Sequence, residues 1–208
     1  QESLIISPSK DLSILFKGRS DDPKQIFLMV SDLARLSRKV GVLGLQSHVP
    51  KSAPEFLKDL INYCVDGINT QQIRSSFETR LIHEEEKVHN AAKVWLDAGG
   101  FCPTIGILGA VLGLIHVMGN LSDTSQLGVG IAVAFVATIY GVGAANLLLI
   151  PIGNKIKGSV KAASRSKQMM IEGVVGIAQG VNPRLIDDQM NIYLDAKMPV
   201  RTFNEPTS

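Results

Sequence analysis

The sequence predicts an all-α integral membrane protein, and three observations carry that prediction. The chain of 208 residues holds 21 basic and 19 acidic side chains, yet its mean hydropathy is positive at +0.18. A soluble chain with this charge content ordinarily falls below zero. The charges are segregated, because between Asp97 and Lys155 the only carboxylate or amine is Asp123. Helical spacing recurs along the rest of the chain, with no convincing alternation of apolar and polar residues such as a half-buried strand would show.

Composition excludes several classes. At this length one or two domains with a sizeable core are expected, and a hydrophobic content of 45% is too high for a disordered chain. Two cysteines, Cys64 and Cys102, are too few for a disulfide framework or a cysteine-rich metal module. A net charge of +2 lacks the concentrated basic surplus of a nucleic-acid binder.

Taken in order, Gln1 to Ile6 are too short and wrongly charged for a signal peptide, and the chain begins without Met. Asp21-Asp22-Pro23 reads as an N-cap with proline in the first turn. It opens a helix with Ile26, Phe27, Val30, Leu33, Ala34 and Leu36 on its apolar side. The Gly41-Val42-Leu43-Gly44 step ends it, and Gln46 is placed in a second short helix. Pro54 begins another, burying Phe56, Leu57, Leu60, Ile61 and Cys64 and stopping at Gly67. Thr70 is expected to cap a long helix whose apolar positions Ile73, Phe77, Leu81, Val88, Ala92 and Trp95 keep near-heptad spacing. A charged turn, Glu84-Glu85-Glu86, interrupts them.

Two uncharged runs follow, Phe101 to Gly119 and Leu127 to Ile152, joined by the polar turn Asn120 to Gln126. Each has about 20 residues, enough to cross ~30 Å of hydrocarbon. A buried hairpin in a soluble protein is the competing reading. Arg80, Lys87 and Lys93 flank the first run, and Lys155, Lys157, Lys161, Arg165 and Lys167 the second, whereas the turn has no Lys or Arg. Basic flanks stay cytoplasmic, so both ends belong inside and Asp123 outside. There the two thiols are expected to stay reduced. A further helix runs through Ile156, Val160, Ala163 and Met170 toward Gly180. Asn182-Pro183 caps a last one to about Leu194, followed by a loose tail. The layout is a cytoplasmic helical region over 1–98, a transmembrane hairpin over 99–154 and a C-terminal cytoplasmic helical region over 155–208.

Gly106, Gly109 and Gly113 share a helical face with Ala110, and Gly141 and Gly143 repeat the device in the second run. Small residues let helices approach closely in lipid. Packing within the hairpin and packing against other subunits both remain open. The polar residues of the runs, with Asn120 at the edge of the turn, are Thr104, His116, Thr138, Tyr140 and Asn146, none of them a carboxylate. Proton carriers inside membranes are normally Asp, Glu or His, so a titrating carboxylate would have to come from another chain. Thr138 is the candidate to face it, or else its hydroxyl bonds its own helix carbonyl. An enzyme is not expected. His83 and His89 stand about 240° apart on a helix and do not converge on a metal. Neither a phosphate loop nor a nucleophile elbow is present, and no cofactor is expected.

Leu33 to Gly41, Pro103 to Gly109 with Gly113-Leu114, Ala137 to Gly141 with Pro151, and Glu172-Gly173 with Gly180 to Arg184 together resemble the MotA/TolQ/ExbB group of ion-driven membrane motors. Within it they look most like the flagellar stator (MotA) branch. The similarity runs from about Asp21 to Asp195. The resemblance implies four spans, the first two lying before Gln1, in a bacterial inner-membrane homopentamer around a MotB dimer whose transmembrane Asp takes the ion. It implies Thr138, Ala110 and Ala137 along the ion path. The sodium-driven branch tends to place hydroxyls where Ala110 and Ala137 stand, and sodium needs several oxygen ligands; their absence favours protons. Pro103 and Pro151 become coupling points at the cytoplasmic ends of the spans, or ordinary helix boundaries. Arg38 matches a charged contact to the rotor protein FliG, shared with Arg35 or Lys39, while Gln46 is neutral where the family often has an acid. The alternative within the group is a TolQ/ExbB-type transducer driving an envelope-spanning partner; the long segment before the hairpin favours the flagellar branch.

Overall fold

The structure, a computed structural model, describes residues 22–119 and 124–194. The expectations for Gln1 to Ile6, for Asn120 to Asp123 and for the tail beyond Leu194 lie outside the described residues. Among those described, every regular element is helical. In chain order they are α1 (Pro23–Val40), a 3-10 helix (Leu43–His48), α2 (Glu55–Val65), α3 (Thr70–Met118), α4 (Thr124–Ala144), a π-helical segment (Ala145–Leu149), α5 (Ile150–Ala178) and α6 (Pro183–Asn191). The described residues divide into two compact units, one holding residues 22–85 and 159–194, the other residues 86–119 and 124–158.

The first unit is a soluble-type helical core. Local chemistry sets its helix ends. The Asp22 carboxylate accepts from the Lys24 N–H at 3.1 Å, and Asn182 repeats the cap on Arg184 at 3.0 Å. Both precede a proline whose missing N–H would have no helical partner anyway. The cap of α3 differs from expectation: Asn69, not Thr70, accepts from the Gln71 N–H at 2.8 Å. Asn and Thr adjoin there, and an Asn side-chain carbonyl readily bonds the backbone N–H two residues on. At the far end of α5, Gly180 takes φ +68°. This lets Val181 N–H reach the Gly176 carbonyl at 2.9 Å and Gly180 N–H the Ile177 carbonyl at 3.0 Å, satisfying carbonyls that would otherwise be orphaned.

The faces expected to be apolar are the buried ones. Ile26, Phe27, Val30, Leu33 and Ala34 of α1 pack with Phe56, Leu57, Leu60 and Ile61 of α2, and with Ile73 and Phe77 of α3. Phe77 packs nearly perpendicular to Phe56, with ring centroids 5.3 Å apart, and to Tyr63 at 5.1 Å, the favoured geometry for aromatic quadrupoles. Met169, Ile171, Val174 and Val175 of α5 and Ile186 and Met190 of α6 complete the core. Gly173 admits Val30 and the Met190 sulfur so closely that any side chain there would displace them. Cys64 lies in the same core, and burial pushes its thiol up to about 11, so it stays protonated at neutral pH.

The second unit is the hairpin. The most apolar window of each long helix is only 11% buried. A core helix of a soluble protein would be mostly covered, whereas here Ile105, Leu108, Leu112, Val133, Phe135 and Ile139 point outward. Such continuous apolar surface belongs in lipid. The membrane hairpin is the architecture.

Candidate functional site

The two membrane helices meet along a seam built from glycine. A Cβ placed on Gly106 would lie 2.9 Å from the Ala137 carbonyl oxygen and 3.4 Å from the Thr138 Cα. On Gly141 it would lie 2.6 Å from the Cys102 carbonyl and 3.1 Å from the Gly106 Cα. Backbone thus rests on backbone. Farther along, Gly109 faces the Ala137 methyl, Gly113 faces Ala134 and Gly130 receives Val117. Partners rise on one helix as they fall on the other, so the helices run antiparallel. For Gly106, Gly109, Gly113 and Gly141 the packing is within the chain. Gly143 meets nothing within 4 Å.

This seam positions the residues read as an ion path. Ala137 turns its methyl onto Gly109 and its carbonyl onto Gly106. Thr138 follows it, half-buried, with its hydroxyl donating to the Ala134 carbonyl at a long 3.4 Å. That is the self-bonded arrangement weighed for it; because the hydroxyl donates here, its lone pairs are free to accept from another donor. Ala110 is half-buried on α3. Thr104 and Asn146 also return their side chains to their own helices, on the Phe101 carbonyl at 2.7 Å and the Val142 carbonyl at 3.0 Å. Polar groups in hydrocarbon are costly unless bonded, and these are bonded locally.

The prolines are not helix boundaries. Pro103 lies inside α3, which runs unbroken from Thr70 to Met118, so the first-turn reading fails. Pro151 is the second residue of α5, and the π-helical segment Ala145–Leu149 leads directly into it, so the helix continues on both sides. A proline ring clashes with the carbonyl four residues back and removes a donor; widening the preceding turn relieves both effects. Helix pairing also changes here. Near Gly106 the partner residues are Ala137, Thr138 and Gly141, and near Gly99 they are Leu149 and Ile150, on either side of the π-helical segment.

The residues read as a rotor contact sit in the first unit, all exposed. Arg35 pairs with Asp187 of α6 at 3.2 Å. Arg38 donates to the Gly180 carbonyl at 2.6 Å. Lys39 lies beside it near the end of α1, and Gln46 is on the 3-10 helix. The structure therefore ties the two arginines to the α5–α6 corner, which sequence spacing does not reveal.

An ion-pair chain that sequence reasoning missed stands on α2, α3 and α5. Asp59 accepts from Arg80 at 2.7 Å, Arg80 donates onward to Glu84 at 3.2 Å, and Lys167 closes on the other Glu84 oxygen. Both cations also lie over the Phe56 ring, Arg80 at 5.5 Å and Lys167 at 5.2 Å. Only the Arg80–Glu84 step has a sequence signal, its spacing of four residues. Burial pushes the Glu84 carboxyl up, but the bonds and charges of Lys167 and Arg80 outweigh it and hold the group below its ordinary value. A carboxylate lowered on folding stabilises the folded state at neutral pH. That contribution is lost as pH falls from the ordinary Glu value, about 4.3, through the lowered one. Glu84→Gln should therefore flatten the acid limb of thermal unfolding in the detergent-purified protein, and an unchanged acid limb would refute it.

The comparisons agree with this geometry. The MotA/TolQ/ExbB proton channel family matches residues 48–169. Motility protein A of Helicobacter pylori (strain ATCC 700392 / 26695) is 31% identical over 193 residues, covering 93% of this chain and 75% of that protein. Among solved structures, C. jejuni MotAB superposes with a TM-score of 0.87 at 31% identity, over 94% of this chain and 77% of that one. The flagellar MotAB stator complex from Bacillus subtilis gives 0.84 at 32%, over 93% and 76%. With a glycine-seamed membrane hairpin, a helical core of matching fold and relatives along nearly its whole length, the chain belongs to the MotA/TolQ/ExbB proton channel family.

Proposed function

We propose that this chain is an ion-conducting stator subunit of the bacterial flagellar motor, coupling proton flow to torque on the rotor protein FliG. The observation that carries the reading is a hairpin with no carboxylate inside its apolar runs, in a chain closely similar to proteins of MotAB stators. The missing acid comes from a MotB-like single-span partner. Subunits of this chain, five by family resemblance, surround that partner in the inner membrane, with lipid outside the ring and the soluble parts in the cytoplasm.

Chemistry follows from charge. Protonating the partner's Asp neutralises it and releasing the proton restores the charge, so its preferred seat against the Thr138-bearing helices alternates. Each elementary charge falling through 100 mV supplies ~2.3 kcal/mol, enough to bias a choice between two packings. Ala110 and Ala137 offer no side-chain oxygen to replace sodium's water, which suits protons. Pro103 and Pro151 serve as the coupling points at which the step leaves the spans. Arg38, with Arg35 and Lys39, pushes on the rotor, and Gln46 contributes a neutral contact.

The test is complementation. In a strain lacking its own stator subunit, this chain expressed with its single-span partner should restore swimming and proton flux, and replacing the partner's transmembrane Asp with Asn should abolish both. Flux through the purified chain alone would overturn the reading. Thr138→Val should slow swimming several-fold at unchanged membrane level, with Thr138→Ser retaining most of it; normal flux in Thr138→Val would remove that hydroxyl from the path.

A further inference from the structure

Beside Gln46 lies a second basic feature that the rotor-contact residues do not include. The 3-10 helix is pinned by Leu45, which is fully buried, and packs on both α1 and α2. Between it and α2 opens a cleft of about 280 Å³ lined by Gln46, Val49, Lys51, Lys58 and Asn62. Among the described residues no carboxylate lines it. The Lys58 ammonium donates to the Lys51 carbonyl at 2.8 Å, which holds the charge at the cleft instead of leaving it on a free stem. A carbonyl satisfies one of its three donors and leaves its charge unneutralised. Gln46 and Asn62 add amide donors.

A cleft lined by two lysines and two amide-bearing residues fits a group that accepts several hydrogen bonds and carries negative charge. A carboxylate does both. We propose that this cleft receives an acidic side chain projecting from the rotor, so that Lys51 and Lys58, and not Gln46, supply the charge of this part of the contact. The proposal rests on the rotor-contact reading above. It also separates from it, because Arg38 bonds the Gly180 carbonyl and Arg35 pairs with Asp187, whereas Lys58 bonds the Lys51 carbonyl at the cleft itself.

The experiment measures swimming torque and partner-dependent proton flux for the full chain with its partner, comparing Lys51→Glu/Lys58→Glu with Arg38→Glu. The expected result is normal flux with torque lowered at least several-fold by the double reversal, and partial recovery when an acidic residue of the rotor face is changed to lysine. Full torque in the double reversal while Arg38→Glu is impaired overturns the cleft and leaves the rotor reading standing. Full torque in both variants overturns the rotor reading and the cleft with it. Should the double reversal be lost from the membrane, Lys51→Gln/Lys58→Gln is judged by the same torque outcomes.

Discussion

Gly141→Val should abolish motor function by breaking the hairpin. The new Cβ would lie 2.6 Å from the Cys102 carbonyl oxygen and 3.1 Å from the Gly106 Cα. Both obstacles are backbone, so neither can move aside by changing rotamer. Overpacking of side chains against side chains typically costs about 1–3 kcal/mol, and a clash with main chain sits at or above the upper end. The helices must part, and with lipid supplying no hydrophobic drive to bring them back, the seam is lost. Gly143→Val is the control. Its Cβ meets no atom of this chain within 4 Å, so the hairpin should survive. Disulfide trapping between Cys replacements at Gly113 and Ala134, followed through the two variants, reads the outcome directly. Trapping retained in Gly141→Val would show that the seam is not what holds the hairpin.

Glu172→Ala should be the most damaging single change among the ion pairs of the helical core. Arg74 grips both Glu172 oxygens, at 2.5 and 2.6 Å, joining α3 to α5. The Arg74 guanidinium is held above its ordinary value, chiefly by the Glu172 hydrogen bond, which outweighs its desolvation. Removing the carboxylate strands a charge whose side chain is 37% exposed. Full burial would make that loss about 3–5 kcal/mol; solvent screening at this exposure lowers it to about 1–2 kcal/mol. Glu78, at 3.5 Å, absorbs part of the loss. Glu172→Asp should recover less than half, since the shorter stem cannot present both oxygens at the same separation. The midpoint of thermal unfolding measures this, and a midpoint equal to the parent's would show that the pair contributes nothing.

The hairpin was legible because it depends on composition alone: a stretch without charge between Asp97 and Lys155, interrupted only at Asp123, is visible without any knowledge of neighbours. Helix starts at Pro23 and Pro183 were legible for a related reason, since capping acts over two residues. Continuity of α3 was harder to see. Gly99-Gly100 and Pro103 look like a break, yet Gly99 is where Ile150 of the opposing helix packs, and that contact is invisible along the chain. The π segment also escaped notice, because it answers a steric problem posed by Pro151 and not a pattern of its own. Arg38 and Gly180, or Arg74 and Glu172, lie far apart in sequence, and only folding brings them together. Of the candidate site, residue types could be named from the chain, but their partners could not.

The glycine seam also decides what kind of motion the membrane part permits. A slide of one helical turn in either direction would deliver Ala137 or Ala145 to the place of Gly141, where even a methyl group finds a carbonyl oxygen in its way. The hairpin consequently has no slip plane. If the hairpin moves, its two limbs travel together as a single lever.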